Sequence, residues 1–212
     1  MPDLAAGRAA LEELRRAAQN THVLIDPDDA ARRARRVQAA AETQARSHRE
    51  EQLTELHRTF LDLHRENDRQ ARGYGFERLL TGLFRTTELD YGGSYKTDVD
   101  QVDGYLILDS FTYLIEARWR TALAAAADIC GLASKVERRL DATRGLLLSM
   151  AGFRPEVVDL YRLARDNRLV LFDGQDLMCV LEQRVGLVEG LQEKVRAAST
   201  RGEPFLPLVS LC

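Results

Sequence analysis

The chain has 212 residues, 45% of them apolar and 30% charged, and a formal net charge of −3. This is the composition of a globular protein rather than a fibrous or disordered one, and the charge excludes a globally basic nucleic-acid coat while permitting a local basic patch. No apolar run approaches the roughly 20 residues of a membrane span, and no secretory signal opens the chain, so a cytoplasmic protein with no membrane partner is expected. In chain order, Leu4 to Ala18 is rich in helix formers. A break over Asn20–Ile25 follows, and Asp26-Pro27-Asp28-Asp29 reads as the start of a long helix, with an Asp cap, Pro in the first turn and acids beside it. Its last part carries Leu53, Leu56, Phe60 and Leu63 at a/d spacing, a short coiled-coil-like seam. Gly73-Tyr74-Gly75 reads as a helix interruption, which places the boundary between an arm, 1–72, and a globular domain, 73–212.

Beyond that boundary Phe76–Phe84 has amphipathic helical spacing, and Asp90–Gly93 reads as a turn. Residues 94–99, Gln101–Leu108 and Tyr113–Trp119 are strand candidates, the last two forming a hairpin. Ala124–Leu140 is a helix, Arg144–Met150 a buried strand, Pro155–Arg165 a helix and Leu169–Phe172 a second buried strand. Residues 175–182 and 187–200 close the pattern as helices. This order predicts an α/β fold with a mixed sheet, antiparallel first and parallel later.

The residues that carry chemistry gather on the hairpin. With the turn centred on Ser110-Phe111, Asp103 lies opposite Arg118 and Tyr105 opposite Glu116. The two-residue alternation then puts Gln101, Asp103, Glu116 and Arg118 on one face. Val102, Leu106, Leu108, Tyr113 and Ile115 would face a core on the other side. Two readings of the cluster stand side by side. One is an Asp–Arg ion pair with Glu116 bonded to backbone. The other is a pair of carboxylates suited to a hard divalent cation, which orients water and neutralises a phosphodiester. Lysine is rare, at Lys96, Lys135 and Lys194 only, and all four histidines precede residue 65. Of the three cysteines, Cys130 and Cys179 read as core, and together with Cys212 they form no disulfide or zinc pattern.

Gln101-Val102-Asp103-Gly104 followed by Glu116-Ala117-Arg118-Trp119 resembles the signature of Mrr-like restriction endonucleases in the PD-(D/E)XK superfamily, and Gly75-Phe76-Glu77 resembles a helix of that family. The resemblance covers about 72–206 and implies a restriction-endonuclease-like α/β/α sandwich with a central mixed sheet, preceded by the long helical arm. It also implies Mg²⁺-dependent hydrolysis of DNA, with Mn²⁺ as a substitute, in restriction or defence against foreign DNA. On this resemblance Asp103 and Glu116 hold the metal, Glu77 supports it, Gln101 orients water or phosphate, and Arg118 stands where the family has lysine. Arginine stays charged at every relevant pH and so cannot be a general base, but it can clamp a phosphate through two donors. A homodimer through the arm would suit cutting of both strands. The alternative is a catalytically inactive nuclease-fold module that binds DNA or a protein partner, and a further reading has the nuclease act within a defence complex.

Overall fold

The computed structural model of the protein describes residues 4–20, 27–87, 89–163 and 168–212. Residues 21–25 of the expected break, the Asp26 cap, and Ala164 and Arg165 of the expected helix end lie outside these described residues. The chain forms two compact units, Met1–Arg49 and Glu50–Cys212. The first holds α1 (Leu4–Asn20) and the opening part of α2 (Pro27–Arg65), whose Arg32, Arg33, Arg35 and Arg36 are exposed.

The second unit begins within α2. Here Phe60 and Leu63, expected in a coiled-coil-like seam, are buried in the unit's own core, with Leu53 and Leu56 packed at its edge. The break that follows is at Glu66–Asp68 rather than at Gly73–Gly75. Glu66 Oε1 accepts from Asp68 N at 2.8 Å, and the Asp68 carboxylate caps α3 (Arg69–Arg85) by accepting from Gln70 N at 2.8 Å. The helix runs on through both glycines. A Cβ at Gly75 would press on Leu63, and one at Gly82 on Leu56, so these two glycines allow α3 to lie close against α2. Glycine here reports close approach, not a turn.

Five strands form one sheet in the order β1-β4-β5-β6-β7: β1 (Asp90–Gly92), β4 (Gly104–Leu108), β5 (Phe111–Arg118), β6 (Thr143–Ser149) and β7 (Leu169–Asp173). β1, β4 and β5 are antiparallel, while β5, β6 and β7 are parallel, as the element order predicts. Asp90–Gly92, expected as a turn, is an edge strand on β4. β2 (Tyr95–Lys96) and β3 (Gln101–Val102) make a separate two-stranded ribbon. The β4–β5 turn is Asp109-Ser110, both with positive φ, 50° and 67°. That is the twist a two-residue hairpin needs, and it lies one residue before the turn expected at Ser110-Phe111. Leu108 therefore pairs with Phe111, and Tyr105 pairs with Leu114, not Glu116.

Helices cover both faces of the sheet. On one face Leu106, Leu108, Tyr113 and Ile115 pack with the end of α2, with α3, with α6 (Gly174–Leu181) and with α7 (Leu187–Arg201). On the other, Leu114, Leu147, Leu169 and Leu171 pack with α4 (Ala126–Glu137) and α5 (Pro155–Arg162). Beneath α7, Lys194 is fully buried, and its three N–H groups donate to Asp176 Oδ2 at 2.6 Å, Leu171 O at 2.9 Å and Leu206 O at 2.6 Å. Burial pushes its ammonium pKa down while Asp176 opposes the shift. With every donor satisfied, the pair is a structural tie between β7, α6 and the segment that ends in η1 (Leu208–Leu211). Among the described residues no helix is long and apolar enough to cross a membrane.

Candidate functional site

The hairpin brings Asp103 to the level of Glu116. A bend at Asp103 separates β3 from β4. At the bend Asp103 N donates to Ile115 O at 3.1 Å, and its Oδ2 accepts from Ala117 N at 2.9 Å, so Asp103 is pinned to the residues on either side of Glu116. Glu116 is 2% exposed. A lone carboxylate that deep costs several kcal/mol, about 3–5 on loss of its partner. Two cations offset this: Arg118 Nη2 donates to Oε2 at 2.8 Å, and the Lys135 ammonium pairs with Oε1. Lys135 reaches across from α4 and also donates to Gln101 O at 2.8 Å. Arg118 Nη1 lies 3.8 Å from Asp103 Oδ2, and Arg118 Nε lies 4.0 Å from Asp128 Oδ1. Asp128 also holds Arg120 Nη1 at 3.0 Å and caps α4 through Ala125 N.

Asp103, Glu116 and Arg118 thus come together as the alternation predicts, although the register differs. Moving the turn by one residue moves each pairing by two, and a shift of two leaves every side chain on its face. The contact differs in detail: Asp103 is opposite Glu116, and Arg118 bridges both carboxylates. Gln101 joins through its backbone carbonyl while its side chain is exposed. The bend breaks the alternation there, and Val102, expected beside Leu106, packs instead with Leu114 and Leu147 on the α4 face. Glu77 is exposed on α3, which packs on the opposite face of the sheet from the one that meets α4. Among the described residues no three His, Cys, Asp or Glu side chains form a metal-holding group.

A second clamp supports the cluster. Asp100 is 6% exposed and takes Arg138 Nη2 at 2.5 Å and Arg139 Nη2 at 3.2 Å. The Arg138 hydrogen bond holds its carboxyl below the usual carboxylate value, against a smaller opposing effect of burial. This clamp ties the start of β3 to the end of α4, and so fixes Lys135 over Glu116. The signal present in sequence is Lys135, Arg138 and Arg139 at i, i+3 and i+4 spacing around one helix end.

Further polar and aromatic side chains have structural roles. Ser149 and Asp173 align with Arg118 at the C-terminal ends of the parallel strands, but Ser149 Oγ donates to Gly152 O at 2.8 Å in a buried turn. Asp173 caps α6, and burial raises its pKa. Trp119 packs among Phe60, His64 and Phe76, with ring centroids 4.9 to 5.6 Å away. Tyr91 stacks on Phe84 at 4.9 Å. Cys179 is buried as expected, whereas Cys130 is exposed on α4 because it falls on the helix's outward side. A recess of about 240 Å³ lies at the opposite end of the parallel strands, lined by Phe111, Arg144 and Arg168 among others. No family model matches the chain, and neither a curated protein nor a solved structure matches it.

Proposed function

We propose that this chain is a PD-(D/E)XK-type nuclease of the Mrr-like group that hydrolyses DNA phosphodiester bonds with Mg²⁺, in restriction or defence. The observation that carries the reading is the buried Glu116, held beside Asp103 on adjoining strands, with an arginine and a lysine aimed at the same carboxylates. The donor set is two carboxylates and a backbone carbonyl, all hard oxygen ligands, which is the chemistry Mg²⁺ takes. Asp103 and Glu116 would hold the ion; bound there, it would supply an activated water and neutralise phosphate charge. Glu116 Oε1 and Gln101 O already cradle one cation, the Lys135 ammonium, so the site is built to accept positive charge.

Arg118 and Lys135 divide between them the work of a single lysine. Arg118 would clamp a phosphate oxygen as the charge on phosphate builds, and it cannot act as a base. Lys135 holds Glu116 in place. DNA would be the partner, met through a local basic patch rather than through net charge. A homodimer that cut both strands would have to use surfaces other than Phe60 and Leu63, which are internal.

A second reading, a non-catalytic module that binds DNA or a protein, is favoured by one observation. Both Glu116 oxygens and one Asp103 oxygen are already engaged by the chain's own cations and backbone. Cleavage of plasmid and linear DNA with Mg²⁺ or Mn²⁺ separates the two. Wild type is expected to cut, with loss of cutting in EDTA and in Asp103→Ala. Cutting by Arg118→Lys alone would mean a competent site silenced by one substitution. No cutting by any variant, with salt-sensitive DNA binding retained, would establish the second reading.

A further inference from the structure

Cys179 and Cys212 stand apart from the hairpin site, and nothing in the proposed chemistry uses them. Cys179 is on α6 and 3% exposed, while Cys212 follows η1 and is exposed. Their sulfurs are 3.7 Å apart. The backbone that carries Cys212 is anchored just before it: Leu208 is fully buried, and its N–H donates to Asp176 Oδ1 at 2.7 Å, three residues before Cys179 on the same helix. Cys212 Sγ also contacts Leu208 O at 3.5 Å, so its side chain is folded back toward α6. The remaining gap to a bond of roughly 2.05 Å is within reach of a side-chain rotation at the exposed partner.

We propose that Cys179 and Cys212 form a thiol–disulfide pair, oxidised by small-molecule disulfides such as glutathione disulfide, which links the η1 segment covalently to α6. In the first step the Cys212 thiolate attacks glutathione disulfide, and one glutathione thiolate leaves. The Cys179 thiolate then attacks the Cys212 sulfur and displaces the second glutathione. Two thiols lose two electrons and two protons, and one glutathione disulfide becomes two glutathiones. The order follows from access, since of this pair Cys212 is the one that meets solvent. Burial, with the Cys212 contact, pushes the Cys179 thiol up to about 11. The second step is therefore the slow one and speeds up as pH rises.

The test is incubation of the full chain with glutathione disulfide, followed by acid quench, alkylation under denaturing conditions and peptide mass spectrometry. The expected product is a peptide joining Cys179 to Cys212. It should form at a rate independent of protein concentration, faster at pH 9 than at pH 7, reversible by dithiothreitol, with Cys130 either free or joined to glutathione alone. Cys212→Ser, at an exposed position that leaves the core untouched, should abolish the product, and Cys130→Ser should not. The oxidised wild type should also show a higher Tm that Cys212→Ser lacks. Accumulation of a glutathione adduct on Cys212 with Cys179 still free, or a Cys130-linked dimer as the main product, would overturn the proposal.

Discussion

Asp100 is the residue through which pH acts on the site's scaffold. Its carboxyl is held low chiefly by the Arg138 hydrogen bond, so the stabilisation it brings is complete above the ordinary carboxylate pKa and is lost as pH falls through the lower folded value. Asp100→Asn is expected to be less stable than wild type at pH 7, with the difference shrinking as pH drops below about 4. Urea denaturation at pH 7, 4 and 3 measures this, and parallel acid limbs would place the acid sensitivity elsewhere. Asp103, Glu116 and Arg118 were legible because a strand's period of two assigns faces without knowledge of register. Asp128 and Asp100 were not, because their partners come from a helix whose placement over the hairpin no local pattern encodes.

At the scale of elements, the two glycines near the start of α3 differ in kind. Gly73 has open space where a Cβ would be, whereas Gly75 faces Leu63. Gly73→Ala is therefore expected to stabilise the protein by about 0.5–1 kcal/mol, the usual gain for replacing an interior helical glycine. Gly75→Ala should lose that gain to overpacking, which typically costs about 1–3 kcal/mol. Thermal denaturation of the two variants checks the contrast, and a neutral or destabilising Gly73→Ala would support a real break in the helix there. From sequence, a Gly-Tyr-Gly run reads as a stop because glycine is a common punctuator. Here the stop signal is Asp68, whose carboxylate caps the next helix through Gln70 N.

For the molecule as a whole, the end of α2 belongs to the compact unit that carries the sheet. Phe60 is 1% exposed within it. Phe60→Ala should then lower unfolding free energy by about 3–5 kcal/mol, as for a large core side chain, without changing oligomeric state. Urea unfolding together with sedimentation reads both quantities. A dissociating dimer with an unchanged protomer would restore the seam to an interface between chains. An a/d pattern describes any helix with one apolar stripe, and it does not say whether the facing helix comes from another chain or, as here, from α3.

Most elements with their order, the change from antiparallel to parallel strands, and the face on which the carboxylates sit are legible in local pattern, whereas the edge strand Asp90–Gly92 and the helix break at Glu66–Asp68 are not. Each of the legible features follows from local periodicity, propensity and short connections, which act over a few residues. The tertiary structure decided what those elements meet: that Arg118 bridges Asp103 and Glu116, that Glu77 stays on the outer side of α3, and that Cys179 lies against Cys212. Such contacts depend on how helices dock on the two faces of the sheet, which is set by summed packing of many apolar side chains rather than by any one motif.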